Sequence, residues 1–158
     1  MAQPTPAYHA SAVAMGGSGV IITGPSGSGK SDLVLRLIDR GAKLISDDYI
    51  HLKADPAGPI ITAPANIAGK LEIRGLGIVN MPFQDGVTAR LLVRMASDAE
   101  RFPGPLPLIE FAGFALPTLA IDPFHQSSPI KIEWAIKTLV DHDRPRVALT
   151  TDDTDFHP

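Results

Sequence analysis

The stretch that decides the fold reads Gly24-Pro25-Ser26-Gly27-Ser28-Gly29-Lys30-Ser31. It matches the phosphate-binding loop pattern G-x-x-x-x-G-K-[ST] at every fixed position. The β-branched run 20–23 before it predicts a buried strand, and the apolar periodicity after it predicts a helix over residues 30–40 that ends at Gly41. A strand, a glycine-rich loop and a helix in this order predict a cradle for phosphate groups.

Each part of this segment has a chemical reason. Glycines permit the tight turn and aim successive N–H groups at phosphate oxygens, and the helix N-terminus adds the positive end of its dipole. Lys30 is predicted to reach the β- and γ-phosphates, and the Ser31 hydroxyl to ligate Mg²⁺. The loop therefore predicts a ligand that carries phosphates, bound together with Mg²⁺. A glycine-rich turn with a chance lysine is the alternative interpretation.

Length and composition predict one globular domain. The chain has 158 residues, of which 44% are hydrophobic and 20% charged, and these values are ordinary for a folded domain. We expect a single phosphate-loop domain over residues 1–158, with residues 1–8 as a loose arm and residues 150–158 as a disordered tail. No internal repeat or linker divides the chain.

Charge and cysteine content exclude several classes of protein. A net charge of −3 carries no nucleic-acid footprint, and the absence of cysteine excludes disulfides, thiolate zinc sites and cysteine nucleophiles. The N-terminus lacks the features of a signal peptide, and the apolar runs are too short to span a bilayer. We therefore expect a cytoplasmic protein with neither a nucleic-acid nor a membrane partner.

The periodicity predicts many short strands and few helices. A second helix is predicted over residues 129–140, with an apolar stripe on one side. Alternation in residues 89–95 predicts a half-buried strand. The other predicted strands lie in residues 9–23 (with a turn at 16–19), 43–46, 49–53, 60–62, 106–111 and 115–121. Together they predict a strand-rich α/β core with some antiparallel pairing, and residues 96–105 are predicted to form a loop.

Asp47 and Asp48 follow the strand predicted over residues 43–46, seventeen and eighteen residues after Lys30. The end of one strand would place both carboxylates beside the phosphate loop. Because neighbouring strand residues point to opposite faces, we expect the two to differ in role. One is suited to holding Mg²⁺, and the other to accepting a proton from a hydroxyl group that would receive the phosphate. A polar strand end or a helix cap is the alternative.

Two blocks of sequence together resemble the HPr kinase/phosphorylase family. The first runs from the phosphate loop through Leu37-Ile38-Asp39-Arg40-Gly41-Ala42-Lys43-Leu44-Ile45-Ser46-Asp47-Asp48. The second is Leu71-Glu72-Ile73-Arg74-Gly75-Leu76-Gly77-Ile78-Val79-Asn80, which is similar to the family segment L-E-[VIL]-R-G-[LI]-G-I-[IV]-N. The resemblance covers residues 8–140. A phosphate loop alone is shared by many families, whereas the two blocks together are specific.

The resemblance implies an activity and a fold. Members of the family use ATP and Mg²⁺ to phosphorylate a regulatory serine of HPr, the phosphocarrier of the sugar phosphotransferase system, and many reverse this reaction with inorganic phosphate. The implied fold is a phosphate-loop kinase core similar to phosphoenolpyruvate carboxykinase, assembled as a homo-hexamer. Longer members carry a separate N-terminal domain, and this chain starts almost directly at the catalytic core, so regulation through that domain is expected to be missing.

The resemblance also implies roles for single residues. Asp47 matches the general base, and His9 matches a histidine that pairs with this base and tunes it. Asp48 matches the second aspartate, near the metal, and Glu72 matches a carboxylate implicated in Mg²⁺ binding. Arg74 lies in the same segment, where a guanidinium can steady phosphate charge. An ordinary surface histidine and a solvated charge pair are the alternatives for His9 and for Glu72 with Arg74.

Three points remain open. Gly75 and Gly77 favour a backbone packed closely against another group. The family segment that carries an arginine linked to the reverse reaction corresponds to residues 116–123, which contain neither arginine nor glycine, so phosphorolysis stays open. The alternatives to an HPr kinase are a nucleotide-sensing module that binds ATP and an HPr-like partner with little turnover, and a kinase of a small metabolite.

Overall fold

The computed structural model describes residues 4–96 and 105–143, which form a mixed α/β fold. Two helices lie in this part of the chain, α1 (Lys30–Asp39) and α2 (Ser128–Asp143). The strands are β1 (Tyr8–His9), β2 (Ser11–Met15), β3 (Ser18–Thr23), β4 (Lys43–Ser46), β5 (Tyr49–Lys53), β6 (Ile60–Thr62), β7 (Lys70–Ile73), β8 (Gly77–Asn80), β9 (Val87–Met95), β10 (Leu108–Phe111) and β11 (Phe114–Ile121). The prediction of a strand-rich fold with few helices is confirmed.

One large sheet of nine strands forms the body of the fold. Its order is β1-β5-β6-β9-β3-β2-β4, and β11 with its partner β10 joins it along β9. Strand β9 runs parallel to β3 and to β11, whereas the other pairs in this sheet are antiparallel. Strands β7 and β8 form a separate two-stranded hairpin. The sheet is therefore mixed, as the sequence predicts.

Both helices pack on one face of this sheet. Leu33, Val34 and Leu37 of α1 and Ile132 and Ile136 of α2 are buried in the same cluster as the inward side chains of the central strands. These positions recur at helical spacing, so each helix buries an apolar stripe. Helix α1 ends where Gly41 adopts a φ of 109°, a conformation that glycine tolerates best.

The opposite face of the sheet is also buried. Strand β5 contacts β2 and β6 contacts β4, so the sheet curls around a second cluster that includes Ile21, Ile45 and Ile61. The strand predicted over residues 89–95 is confirmed, with Ala89, Leu91, Val93 and Met95 buried and Arg94 exposed, but Leu92 is buried as well. Leu92 lies in the second cluster, and Leu91 lies in the first.

A bulge explains the pattern in β9. The pairing of β3 with β9 shifts between Gly19 and Val20, so that Ala89 and Leu91 lie opposite consecutive residues of β3. An extra residue in one strand reverses which face its neighbours occupy. Ala89 consequently belongs to the second cluster, although a period of two counted along β9 would place it with Leu91.

Several predicted segments fall partly outside the described residues. Residues 97–104 of the predicted loop, residues 150–158 of the predicted tail and residues 1–3 of the predicted arm lie outside them. Residues 4–7 of the predicted arm are exposed and irregular, and the ring Nδ1 of His51 lies 2.8 Å from the carbonyl oxygen of Pro6. The prediction is wrong for Tyr8, the last residue of the arm, because it pairs with Ile50 in the sheet. None of the helices in residues 4–96 and 105–143 has the length and apolar character needed to span a membrane.

A core substitution in β9 tests this architecture. Leu91 is fully buried and faces the helices, so Leu91→Ala is expected to lower the free energy of unfolding by about 2–5 kcal/mol through lost burial and a residual cavity. Urea denaturation followed by circular dichroism measures the change. Leu108→Ala is the matched control: its side chain is 69% exposed on β10, and its effect should stay within about 0.5 kcal/mol. Equal losses for the two variants would contradict the assigned core.

Candidate active site

A cleft of about 700 Å³ opens at the phosphate loop. Four segments line it: the loop with the first turns of α1, the residues that follow β4, the β7–β8 hairpin and a turn before α2. The lining residues are Ser26, Gly27, Gly29, Lys30, Ser31, Asp32, Leu35, Asp47, Asp48, Glu72, Ile73, Arg74, Gly75, Gly77, Pro123 and Phe124. Most of the residues predicted to bind phosphate, metal or acceptor therefore share one cavity.

The phosphate loop wraps around its own lysine. Lys30 is only 6% exposed, and its Nζ donates hydrogen bonds to the carbonyl oxygens of Gly24 (2.7 Å) and Pro25 (3.1 Å). Gly24 lies under the loop, where a Cβ would come within 2.7 Å of the Ser28 hydroxyl oxygen. Gly29 precedes α1 with a φ of 99°. The close approach at Gly24 and the positive φ at Gly29 explain why the motif needs glycine at both positions.

Asp47 is a buried carboxylate that three elements orient. Its Oδ1 accepts hydrogen bonds from the hydroxyls of Ser31 (2.9 Å) and Ser11 (3.0 Å), and its Oδ2 accepts one from the backbone N–H of Glu72 (3.3 Å). The residue is 7% exposed. Asp47 therefore points at the hydroxyl that the motif assigns to Mg²⁺.

Asp48 has different surroundings. Its side chain is 60% exposed, and its Oδ1 lies 3.0 Å from Nε2 of His9. The backbone φ of 73° is in the left-handed region, which few residues other than glycine, asparagine and aspartate adopt readily. Asp47 and Asp48 thus have different environments, one enclosed by donors of the protein and the other exposed.

The implied pairing of His9 with Asp47 is corrected by the structure, because His9 contacts Asp48. Strand β1 pairs with β5 so that His9 lies opposite Tyr49, the residue after Asp48. The His9 and Tyr49 rings lie 5.5 Å apart between centroids. Asp47 meanwhile faces the helix side, where Ser31 holds it. His9 is not among the residues that line the cleft and reaches it through Asp48.

Ser11 is a site residue that the sequence analysis missed. This fully buried serine of β2 donates to Asp47 and accepts a hydrogen bond from the backbone N–H of Asp48 (3.0 Å). A single hydroxyl therefore positions both acidic residues. The available signal was a lone polar side chain at the start of the apolar run 12–15, in the strand next to the one that enters the phosphate loop.

The β7–β8 hairpin supplies the wall of the cleft that faces α1. Glu72 and Arg74 are exposed on this wall and line the cleft. The expectation that Gly75 and Gly77 pack closely against another group is wrong, because a Cβ at either position would meet no atom within 4 Å. Their φ values of 91° and 102° show instead that glycine is needed for the turn itself.

The oxygen ligands available to a metal are few. Within residues 4–96 and 105–143, no group of three His, Asp or Glu side chains is arranged to hold a metal ion. Ser31 Oγ and Asp47 Oδ1 already lie 2.9 Å apart, and Glu72 and Asp48 line the same cleft. One hydroxyl and a few carboxylates fit Mg²⁺, which keeps several waters and takes substrate phosphates as ligands, better than an ion that needs a cage of protein ligands.

The turn before α2 also lines the cleft, through Pro123 and Phe124, although no sequence motif marks it as part of a site. The Arg36 guanidinium donates to the carbonyl oxygens of Pro123 and His125 (3.2 Å for His125). These bonds fasten the turn to α1. A search for contiguous sequence motifs does not find this turn, because the bonds that place it at the cleft join residues far apart in sequence.

Comparison with known proteins gives the family. The model of the HPr Serine kinase C-terminal domain matches residues 1–91, and the chain belongs to this family. The HPr kinase/phosphorylase of Geobacillus sp. (strain WCH70) is 47% identical over 79 residues, 49% of this chain and 25% of the relative. That of Clostridium tetani (strain Massachusetts / E88) is 38% identical over 91 residues, 58% of this chain and 30% of the relative.

A solved structure extends the similarity beyond the matched sequence. The structure of the Hpr(Ser) kinase/phosphatase from Coxiella burnetii matches with a TM-score of 0.69 and 27% identity, and covers 88% of this chain and 96% of that one. The aligned part of this chain spans about a quarter of the length of the first curated relatives. The resemblance inferred from the two sequence blocks is confirmed, and so is a mixed α/β fold like that of an HPr kinase.

The role of Ser11 can be tested by removing its hydroxyl. Ser11→Ala leaves the Asp48 N–H without its partner, so we expect a loss of about 1–3 kcal/mol in the free energy of unfolding. Hydrogen exchange at the Asp48 amide should become faster than the loss of global stability explains. Thr118→Val is the control, because it removes a buried hydroxyl that bonds within β11. Unchanged exchange at Asp48 in Ser11→Ala would contradict the assigned role.

Proposed function

We propose that this chain is the catalytic domain of an ATP-dependent protein-serine kinase that phosphorylates HPr. The observation that carries the proposal is one cleft in which a buried carboxylate holds the phosphate-loop serine while an exposed carboxylate lies beside it. The buried carboxylate is suited to a site for metal and nucleotide, and the exposed carboxylate is suited to an acceptor hydroxyl. The names of the relatives, HPr kinase/phosphorylase, support HPr as the acceptor.

Phosphate binding is assigned to the loop and the start of α1. The backbone N–H groups of the loop and the first turn of α1 are suited to phosphate oxygens. Lys30 lies at the floor of this cradle, where its ammonium group adds positive charge. Arg74 on the hairpin faces the same cleft and supplies a second cation. Catalysis of phosphoryl transfer depends chiefly on such positioning and charge stabilisation.

Mg²⁺ would be held by Ser31, with Asp47 and Glu72 as carboxylate partners, and would neutralise charge on the phosphates when bound. Asp47 orients the Ser31 hydroxyl from the moment the site is folded. Ser11 and the Glu72 N–H in turn orient Asp47. The chain therefore holds these oxygen ligands in place before the nucleotide arrives, which reduces the cost of ordering them.

We further propose that Asp48, rather than Asp47, accepts the proton of the acceptor serine. The resemblance implies the reverse division, with Asp47 as base and Asp48 near the metal. The contacts favour Asp48, because its carboxylate is exposed to an incoming hydroxyl, whereas the Asp47 carboxylate accepts hydrogen bonds from three donors of the protein. His9 then orients the base.

Transfer of the phosphoryl group to the acceptor serine would be an in-line displacement. The serine hydroxyl oxygen forms a bond to the γ-phosphorus as the bond from that phosphorus to the β,γ-bridging oxygen breaks. The hydroxyl proton passes to the Asp48 carboxylate, and ADP leaves with the bridging oxygen. Lys30 and the loop N–H groups stabilise the charge on the phosphates.

Other parts of the proposal rest on the family resemblance. We propose a phosphate-loop core of the phosphoenolpyruvate carboxykinase type, a homo-oligomer that is hexameric, and a place in the cytoplasm with the phosphotransferase system. Phosphorolysis is left out of the proposal, because residues 116–123 contain no arginine.

A transfer assay tests the acceptor. The protein is incubated with Mg²⁺, γ-labelled ATP and HPr encoded in the same genome, beside HPr that carries alanine at its regulatory serine. We expect label on wild-type HPr alone. Bound ATP without label on HPr would contradict the kinase and favour a nucleotide-sensing module. Label on a free small molecule and none on HPr would point to a metabolite kinase.

A pair of isosteric variants tests the division between the two aspartates. Asp48→Asn should lower kcat for HPr about a hundredfold or more and leave MgATP affinity within about twofold, because a general base contributes roughly that much. Asparagine also tolerates the left-handed backbone at this position. Asp47→Asn should instead raise the Mg²⁺ concentration needed for half-maximal activity.

Asp55→Asn is the control for both variants, because Asp55 caps a remote turn through the backbone N–H of Ala57 (3.1 Å). Its kinetics should equal those of the wild type. If Asp47→Asn loses kcat at saturating Mg²⁺ while Asp48→Asn retains it, the roles implied by the resemblance are restored.

A further inference from the structure

Phe124 is an exposed aromatic side chain on an ordered turn. It is 83% exposed, more than any other large hydrophobic residue in the described part of the chain. Its backbone N–H donates to Asp122 Oδ1 (2.9 Å), and the Ser128 hydroxyl donates to the Asp122 carbonyl oxygen. Exposure of this ring is therefore a property of a turn held by several bonds, not of a loose segment.

The turn is fastened on both sides of Phe124. The Arg36 guanidinium donates to the carbonyl oxygens of the residues that flank it, Pro123 and His125. Pro123 also lies close to the phosphate loop, because a Cβ placed on Gly29 would be 3.4 Å from Pro123 Cβ. The aromatic side chain is thus anchored directly beside the phosphate loop.

The chemistry of the cleft divides into two kinds of surface. Its charged and hydroxyl groups suit phosphates, Mg²⁺ and an acceptor hydroxyl. Its larger apolar side chains are Leu35, Ile73, Pro123 and Phe124. Phe124 is the only aromatic residue among those that line the cleft in the described part of the chain. The base of a nucleotide whose phosphates lie in the loop can stack on a flat aromatic surface, and this ring offers one.

We propose that Phe124 stacks on the base of the nucleotide whose phosphates the loop binds. The inference rests on the proposed function, since it assumes a nucleotide in this cleft. Stacking of a base on an aromatic side chain is strong enough to change affinity by about tenfold or more and tolerates different bases, because each base has a π-face. Phe124 thereby contributes affinity for the nucleoside and little selectivity among bases.

Calorimetric titration of the full chain tests the proposal with three probes: MgATP, MgADP and inorganic tripolyphosphate. Phe124→Ala should weaken MgATP and MgADP about tenfold and leave tripolyphosphate within twofold. Phe124→Trp should bind both nucleotides at least as well as the wild type. Trp134→Ala is the control, because Trp134 is 60% exposed on α2 and does not line the cleft. It should match the wild type for all three probes.

The other outcomes are distinct. Unchanged nucleotide affinity in Phe124→Ala overturns the inference, and if KM for HPr rises in that variant the ring serves acceptor docking instead. An equal loss for tripolyphosphate also overturns it, because the effect then comes from a disturbed phosphate loop. If wild-type protein binds none of the three probes, the proposed function fails, and this result is separate from a failure of the stacking inference.

Discussion

The site depends on one interaction, the anchoring of the buried Asp47 carboxylate by donors from three separate elements. Ser11 from β2, Ser31 from α1 and the N–H of Glu72 from β7 all converge on it. A buried carboxylate needs such partners, because an unpaired charge inside a protein is costly. The same bonds hold the sheet, the helix after the phosphate loop and the hairpin in one arrangement. The cleft between these elements is therefore built around Asp47.

A second constraint separates the two neighbouring carboxylates. The chain leaves β4 with Asp47 facing the helix and then turns through a left-handed residue at Asp48 before β5 begins. This conformation exposes Asp48 and brings it to His9, which β1 supplies by pairing with β5. One carboxylate is consequently enclosed by donors of the protein while its neighbour faces solvent. Adjacent aspartates with such different surroundings are suited to different tasks.

Sequence patterns predicted much of this fold because local physics decides it. The glycine spacing of the loop, the apolar stripe of each helix and the boundaries of β4, β5 and β6 follow from backbone preferences and periodicity. The strand over residues 89–95 was predicted, but the burial of Leu92 was not, because a bulge and a curled sheet bury side chains on both faces of β9. Gly75 and Gly77 were misinterpreted because close packing and positive φ both select glycine, and only the backbone conformation distinguishes them.

The sequence by itself determined the phosphate loop, the α/β class, the family and the principal charged and hydroxyl residues of the cleft: Lys30, Ser31, Asp47, Asp48, Glu72 and Arg74. Their motifs are contiguous, so spacing alone carries the information. Only the tertiary structure decided that His9 contacts Asp48, that Ser11 positions both aspartates and that Phe124 stands beside the loop. Each of these depends on pairing between distant segments. The register of β1 on β5 brings His9 to Asp48, and the Arg36 guanidinium holds the turn that carries Phe124. Neither contact can be read from a single stretch of sequence.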